Sequence, residues 1–395
     1  MIVNKNIQQY LVIFIYEIVF IIATFSMLNS YLSLNITRHM VLFLKSLLLT
    51  ILLFYIFTNT KIEVRSIKVC FPLVLFTIYE LLITYINNQL IFPEAYYDIF
   101  NWPLLFIVFQ DYFSKYKIPY YFKKHAKRII YFLALFSLLL VYKNLFGNSN
   151  AGGVIFNVYY LLTYIPLILL LLNKTKDKNV VLLFTAIPLL LSQKRAGTFA
   201  FIIGYVLYKF SKNNIEFQTV KKKLIKNINF IIIIVIFSIL FLLANSIFHF
   251  GIFERILMLK DDGGSGRNSI WIFIIESFYA ASKKNQYYGH GYQSVYYKLM
   301  PYGINRLAHN SYIEFLYDYG YIGLFIFLFF IIRLILKLLS SIRKKSPDLP
   351  YFIFSIIISF VLSMSSYYFE ESAIIMPISI LWGYCFKNEE RNDIK

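Results

Sequence analysis

Long apolar runs separated by short polar connections make up most of this chain. A helix that crosses a bilayer needs about 20 mainly apolar residues, and runs close to this length recur throughout the sequence. The first run has no obvious small-residue cleavage site, so we interpret it as a transmembrane helix and not as a signal peptide. The pattern predicts about twelve transmembrane helices, at residues 9–29, 39–58, 68–87, 97–113, 129–146, 154–172, 180–192, 197–210, 228–247, 310–337, 351–367 and 373–386.

Two of these runs, 180–192 and 197–210, are short and lie on either side of Lys194 and Arg195. The pair is compatible with a helical hairpin or with a re-entrant element, since non-helical backbone at membrane depth is tolerated where protein surrounds it. The pattern of hydrophobic residues alone leaves both open.

Basic residues support this count and give it an orientation. With the N-terminus in the cytoplasm, the cytoplasmic connections hold most lysines and arginines, notably within 61–68, 115–128, 174–178, 209–226 and 343–345. The short outer connections hold only Arg38, against Glu94, Glu370 and Glu371. This asymmetry is the positive-inside pattern, and removing one central helix would invert it. Both termini are therefore predicted to be cytoplasmic.

One connection, 248–308, is much longer than the others and is placed outside the cell by this topology. It contains a glycine-rich run at 261–266, an amphipathic stretch at 268–281 and an aromatic-rich segment at 287–302. Long connections in compact proteins usually carry function. The predicted fold class is all-α: a polytopic transmembrane helical bundle with one large extracytoplasmic loop containing short helices.

The predicted organisation has three parts. Residues 1–247 hold transmembrane helices one to nine, and residues 248–308 form the extracytoplasmic catalytic loop. Residues 309–395 hold helices ten to twelve and a cytoplasmic tail.

Composition agrees with a membrane protein. Of the 395 residues, 59% are hydrophobic and only 15% are charged, whereas soluble domains have about 45–50% apolar and about 25% charged residues. The net charge of +19 would suggest nucleic acid in a soluble protein, but here the basic residues lie in the connections between apolar runs. Cys70 and Cys385 lie in or beside apolar runs, which favours small buried hydrophobes over a disulfide or a metal site.

Three polar residues on the predicted outer side are candidates for chemistry: Arg195, Arg267 and His309. Arginine keeps its charge and offers a planar fork of donors that matches phosphate oxygens. Histidine is the side chain most easily used as a base near neutral pH. Each also has a simpler interpretation: Arg195 as a lipid-headgroup contact, Arg267 as a solvated loop charge, and His309 as a structural residue at a helix start.

Together with their surroundings these residues resemble the O-antigen ligase and polysaccharide polymerase (Wzy-type) superfamily. The resemblance rests on Gly289-His290-Gly291, then Ala308-His309-Asn310-Ser311-Tyr312, then Tyr319-Gly320-Tyr321-Ile322-Gly323-Leu324. Gly266-Arg267-Asn268-Ser269-Ile270-Trp271 is similar to an upstream family element, and Ser192-Gln193-Lys194-Arg195-Ala196-Gly197 to a further one in divergent form. The motifs cover about residues 190–330.

The resemblance implies transfer of a glycan from a polyprenyl diphosphate, usually undecaprenyl diphosphate, to an acceptor hydroxyl at the outer face of the membrane. It implies that Arg195 and Arg267 bind the diphosphate and that His309 contacts or activates the acceptor. Neither a metal ion nor another cofactor is expected. The expected partners are the lipid-linked oligosaccharide, the bilayer, a chain-length regulator and a flippase; no nucleic acid is expected.

Further candidates for substrate binding are Lys194, Asn310, Tyr292 and Glu314. Lys194 would add charge beside Arg195, and Glu314 would orient the surroundings of His309, although Glu314 and Asp318 are equally typical of interhelical pairing. Tyr292, like Tyr288, Tyr296 and Tyr297, is suited to stacking on sugar rings, or to anchoring at the membrane interface. Glu17, Lys45 and Glu80 lie in apolar runs and are either functional or a helix-pinning pair.

The leading hypothesis is a polysaccharide polymerase for O-antigen, capsule or exopolysaccharide in the cytoplasmic membrane of a bacterium. A ligase that moves finished glycan to another acceptor has the same motifs. A flippase for lipid-linked sugar would more often have repeated halves and charges near the midplane, and a non-catalytic sensor would not need the two arginines and the histidine.

Overall fold

The computed structural model describes most of the chain as helices joined by short connections. No β-strand occurs in these described residues, so the predicted all-α class is confirmed. The described residues are 5–32, 35–59, 64–87, 93–146, 158–172, 174–192, 194–216, 267–304 and 307–387.

Eight helices make up the first part of the chain. Each predicted span from 9–29 to 197–210 overlaps one of them, and residues 192–194 separate the two short runs into two distinct helices. The helices are α1 (Lys5–Leu32), α2 (Asn35–Thr58), α3 (Val64–Ile86), α4 (Pro93–Lys115), α5 (Tyr120–Phe146), α6 (Val158–Leu171), α7 (Thr175–Leu191) and α8 (Arg195–Glu216).

Six more helices follow residue 266, three of them short and three longer. The amphipathic stretch predicted at 268–281 coincides with the first of these, and the three last predicted spans coincide with the longer helices. They are α9 (Arg267–Ala280), α10 (Lys283–Tyr288), α11 (Ser294–Leu299), α12 (Ser311–Arg343), α13 (Leu349–Ser365) and α14 (Ser372–Cys385), with a 3₁₀ turn at Met300–Tyr302.

Among the described residues, four stretches are long and apolar enough to cross a bilayer by length and composition: Asn6–Asn29, Asn35–Thr58, Tyr120–Tyr142 and Ser311–Arg343. Shorter apolar stretches lie in α3, α6, α13 and α14, and of these α6 and α14 are almost completely buried inside the protein. A helix that is hydrophobic on every side belongs where other helices surround it. The chain is therefore a multi-pass membrane protein with short helices at its centre; the number twelve stays a prediction.

The predicted ninth span, 228–247, lies outside the described residues. Tyr208 of α8 lies near Tyr351 in the first turn of α13, with 5.7 Å between the ring centres, whereas the Arg267 guanidinium donates to the backbone carbonyl of Ser365 in its last turn. The described residues before and after the gap therefore contact opposite ends of α13.

The connection before α12 has a small hydrophobic core of its own. Ile270, Ile274 and Phe278 from α9 pack with Val295 and Leu299 from α11, and with Ala308 and Tyr317. The indole N–H of Trp271 also donates to the carbonyl of Ala308 at 2.7 Å. The described part of this connection therefore contains short helices, and its core holds the residue before His309 in place; the large extracytoplasmic loop itself stays a prediction.

Two motif glycines let backbone pack directly against backbone where this connection meets α12. Gly320 has φ +65° and kinks α12, and Gly289 has φ +88°. A Cβ on Gly320 would lie 2.5 Å from the Tyr287 carbonyl oxygen and 2.6 Å from the Gly289 nitrogen. The Asp318 carbonyl, freed at the kink, accepts the N–H groups of His290 and Gly291 at 2.9 and 2.7 Å. The glycines of the motif therefore dock the loop on α12.

In Gly320→Ala the added Cβ is expected to push these two backbones apart. Their separation would break the hydrogen bonds to the Asp318 carbonyl and so destabilise the protein. Gly303→Ala is a control for positive φ in open space: Gly303 has φ +72° and ψ 11°, whereas Gly320 has φ +65° and ψ −170°, and a Cβ on Gly303 would meet nothing within 4 Å. The control loses only the left-handed backbone preference, roughly 1–2 kcal/mol. Thermal unfolding in detergent should show a much larger loss for Gly320→Ala; equal losses would exclude the close approach as the cause.

Candidate functional site

The connection between α13 and α14, residues 366–371, lies at the centre of the candidate site. Its first residues follow the last turn of α13, and Glu371 directly precedes α14. Three parts of the chain reach it: α9 through Arg267, the start of α12 through His309 and Ser311, and α2 through Lys45. We call this connection, together with Ser365, the 365–371 segment.

Arg267 is the first residue of α9 and lies against the end of α13. Its Nη1 donates to the carbonyl oxygen of Ser365 at 3.0 Å. The last carbonyls of a helix carry partial negative charge and have no partner within the helix. One edge of the guanidinium therefore completes the end of α13.

Tyr159, at the start of α6, interacts both with Arg267 and with Lys194, a residue of the motif at 192–197. Its phenol shares a hydrogen bond with the Ser365 side chain and interacts with the positive charge of Arg267. The ammonium of Lys194 lies 5.7 Å from the Tyr159 ring centre. A Cβ on Gly197 would lie 3.0 Å from the same ring, so the glycine of this motif lets α8 approach Tyr159.

Arg195 is the first residue of α8, directly after Lys194. Arg195 is therefore at the N-terminal end of α8, where the first backbone N–H groups have no partner within the helix. The region thus holds Lys194 and Arg267 beside one tyrosine, and Arg195 directly follows Lys194 at the start of α8.

His309 reaches the same segment from the other side. Its imidazole lies 5.8 Å from the Tyr367 ring, centre to centre, at an interplanar angle of 40°. The Ser311 hydroxyl donates to the Ser366 carbonyl at 3.1 Å, and the hydroxyls of Ser363 and Tyr312 hydrogen bond at 3.2 Å. Arg267 and His309 therefore contact residues only two positions apart, Ser365 and Tyr367.

The three remaining predicted substrate-binding residues all have structural partners. Asn310 caps α12, since its side chain accepts the N–H groups of Tyr312 and Ile313 at 3.1 and 3.3 Å. Glu314 is fully buried, and its Oε1 accepts the N–H of His309 at 2.9 Å. Tyr292 is buried as well, with its backbone N–H on the Thr84 hydroxyl. Their contact with substrate stays a prediction.

Beneath the segment lies a layer of buried charge. The Lys45 ammonium lies 2.6 Å from Asp98 Oδ1 and 3.6 Å from Glu371 Oε1, and the Ser372 hydroxyl also donates to Asp98. The pairing predicted for Lys45 thus exists, but its partners come from α4 and the 365–371 segment and not from Glu17 or Glu80. Lys45 holds the far end of the segment against α2 and α4.

Glu370 is the least compensated member of this layer. It is 4% exposed, and both of its carboxylate oxygens lack a hydrogen-bond partner among the described residues. Burial, and then the negative charges of Glu314, Asp318, Glu80 and Asp98, raise the pKa of Glu370 well above its usual range. Burial also raises the pKa of Glu371, although the ammonium of Lys45 opposes this shift. Burial and the neighbouring acidic groups therefore favour the protonated form of Glu370.

Sequence reasoning missed Tyr159, Ser365, Tyr367 and Glu370 as parts of this site. With 34 tyrosines in the chain, nothing in the sequence distinguishes Tyr159 or Tyr367 from the others. Glu370 was noted only as a charge of a short outer connection. All four lie outside the motifs, and only the packing of α6, α9 and α13 brings them together.

For metals, the described part of the chain contains no group of three or more His, Cys, Asp or Glu side chains arranged to hold an ion. Asp98 pairs instead with Lys45 and with the Ser372 hydroxyl, and Asp318 accepts the backbone N–H of Val295. The side chains that the structure brings to the site are cations, an imidazole and buried carboxyl groups.

A multi-helix membrane protein with this polar site at the ends of its helices is the class that the fold defines. Residues 180–328 match the Wzy_C family model, described as O-Antigen ligase. No curated protein matches the chain. The match confirms, for this region, the resemblance inferred from the motifs, and it indicates a function of the O-antigen ligase and polymerase type.

The matched region contains all seven predicted site residues, from Lys194 to Glu314, together with the loop core and the kink at Gly320. It ends before the 365–371 segment and begins after Tyr159. The site is therefore completed by parts of the chain that the family model does not include.

Proposed function

We propose that this protein is a polysaccharide polymerase. It transfers a glycan from a polyprenyl diphosphate carrier to a hydroxyl of a second lipid-linked repeat unit, at the outer face of the cytoplasmic membrane of a bacterium. Both termini are then cytoplasmic, and the residues of 248–308 lie outside. The O-antigen ligase match of residues 180–328 supports the reaction type.

The observation that carries this proposal is the meeting of cations and an imidazole on one short segment. Arg267 contacts Ser365, His309 contacts Tyr367, and Lys194 reaches the same place through Tyr159. A lipid diphosphate carries several negative charges and needs fixed cations to hold it. An acceptor hydroxyl needs a base within reach.

In the proposed reaction the oxygen of the acceptor hydroxyl forms a bond to the anomeric carbon, while the bond from that carbon to the diphosphate oxygen breaks. Negative charge grows on the departing diphosphate. Arg195, Arg267 and Lys194 stabilise this charge more in the transition state than in the ground state. A single donor of this kind contributes about 3 kcal/mol.

His309 takes the proton of the acceptor hydroxyl as the hydroxyl attacks. The polyprenyl diphosphate leaves on the opposite side of the anomeric carbon, so the new linkage has the inverted configuration. The proposed transfer needs no metal ion, because the cationic side chains compensate the diphosphate charge. A chain-length regulator and a flippase are proposed partners of the reaction sequence.

The purified protein in liposomes, supplied with undecaprenyl diphosphate-linked repeat units, tests this function. A polymerase produces a ladder of lengthening glycans and releases one carrier diphosphate for each linkage formed. Analysis of the linkage checks inversion, since retention would exclude a single displacement. Transfer only to a different lipid or protein acceptor would assign the ligase, and movement of lipid across the bilayer without a new linkage would assign the flippase.

A further inference from the structure

The backbone of His309 has a conformation that a non-glycine residue rarely adopts. Its φ is +55°, in the left-handed region. This conformation costs about 1–3 kcal/mol and persists only where the surroundings hold it in place. Ala308 on one side is fully buried and accepts a hydrogen bond from Trp271, and Asn310 on the other side caps α12.

Glu314 supplies the contact that holds this turn. It lies one turn inside α12, and its Oε1 accepts the backbone N–H of His309 at 2.9 Å. The backbone N–H groups of Ala308 and Asn310 also face this carboxylate. The arrangement resembles a capping box, in which a glutamate reaches back to an N–H before the helix, but here the residue that it binds is the candidate base.

The imidazole of His309 has a different neighbour from its backbone N–H. It lies beside Tyr367 of the 365–371 segment. The hydroxyl of Ser311, two residues after His309, donates to the carbonyl of Ser366 in the same segment. The carboxylate thus holds the backbone from the α12 side, and the ring is presented to the segment that Arg267 also contacts. The direction of the imidazole depends on the backbone angles that Glu314 fixes.

Capping alone does not explain a carboxylate at this depth. Glu314 is fully buried, and its second oxygen, Oε2, has no hydrogen-bond partner among the described residues. Asp318 Oδ2 and both carboxyl oxygens of Glu370 also have no hydrogen-bond partner among the described residues. A buried group of this kind costs stability, and such costs concentrate at functional sites.

We infer that Glu314 is a positioning residue, which fixes the left-handed turn at His309 and thereby aims the imidazole at the acceptor hydroxyl. This inference rests on the proposed function, because it needs His309 to be the base. It goes beyond that function in assigning Glu314 a role through the backbone of His309, in place of direct contact with substrate.

A double-mutant cycle between Glu314 and His309 tests the inference with the full-length protein in liposomes and the lipid-linked repeat unit as substrate. We expect Glu314→Ala to lower kcat by about 10- to 100-fold, since a misplacement of about 1 Å can have such an effect, while KM for the repeat unit changes little. Glu314→Gln keeps an acceptor oxygen and is expected to stay within about fivefold of the original kcat. In a His309→Ala background, Glu314→Ala is expected to cause no further loss.

Independent losses in the double variant would overturn the inference, because they would show that Glu314 acts without His309. If Glu314→Ala does not fold, Glu314→Asp decides: it keeps the carboxyl group but shortens the reach, so an unchanged kcat would equally overturn the inference. Full activity of His309→Ala alone would instead remove the proposed function itself, whatever the Glu314 variants do. Thermal unfolding in detergent identifies folded variants before the rates are compared.

Discussion

Replacement of His309 by alanine is expected to abolish long polymer and to lower the rate of transfer by about 10²- to 10⁴-fold, which leaves a slow release of carrier that can be measured. This reduction is the usual contribution of a positioned base. The acceptor hydroxyl is a poor nucleophile while it keeps its proton, and the imidazole beside Tyr367 is the group proposed to take that proton. The measurement is the length of product on a gel, together with carrier release over time.

His290→Phe is the control for this variant. His290 lies in the same region, stacks on Tyr317 at 4.4 Å between ring centres, and has its Nδ1 3.0 Å from the Tyr317 carbonyl oxygen. Burial lowers the pKa of His290 below its ordinary value of 6.5, so we interpret it as a neutral structural residue. Phenylalanine keeps the stacking, and the rate should change little. Long polymer from His309→Ala at normal protein level would show that His309 is not the base.

The helices could be predicted from the sequence because lipid and protein both favour long apolar runs. Kinks and burial of these helices depend on packing against their neighbours, which the apolar runs do not encode. The span 310–337 gave no sign of a kink at Gly320, since the kink follows from the approach of Gly289 to α12. Likewise, the burial of α6 and α14 follows from their neighbours, as lipid-facing and protein-facing helices have similar compositions.

In the candidate site, too, some features could be predicted from local sequence, whereas others depend on packing. Arg195, Arg267 and His309 could be proposed as candidates because their motifs are local in sequence and carry residue types with specific chemistry; their roles stay predictions. Glu314 was found too, but its contact was not: the hydrogen bond to the N–H of His309 depends on a left-handed turn that the residues around it do not signal. Tyr367 came from a connection without any motif.

The interactions of Lys45 show the limit most clearly. The sequence marked it as an unusual charge in an apolar run and offered a pair with Glu17 or Glu80, the other charges in such runs. Its partners are Asp98 and Glu371, which the predicted topology put at helix ends. A long side chain can extend toward the end of its helix, so depth estimated from sequence position does not identify the partner.

Replacement of Arg267 by alanine is expected to lower kcat by about 10²- to 10³-fold, the usual cost of removing one donor that stabilises transition-state charge. Arg267→Lys keeps the charge and loses the planar fork, so we expect a rate between those of the alanine variant and the unchanged protein. The rate of carrier release from the lipid-linked repeat unit measures both. Arg343→Ala, at the exposed end of α12, is the control and should leave kcat unchanged.

Because Arg267 also contacts Ser365, its structural role at the end of α13 must be distinguished from a role in binding the diphosphate. If the guanidinium served only to complete the end of α13, its loss would reduce the free energy of unfolding by about 1 kcal/mol and leave kcat of the folded protein as it was. A role in holding the diphosphate predicts the reverse: a large fall in kcat, weaker inhibition by added undecaprenyl diphosphate, and little change in thermal unfolding. A stability loss with normal turnover would therefore confine Arg267 to the helix end, and the diphosphate would have to be held by Lys194 and Arg195.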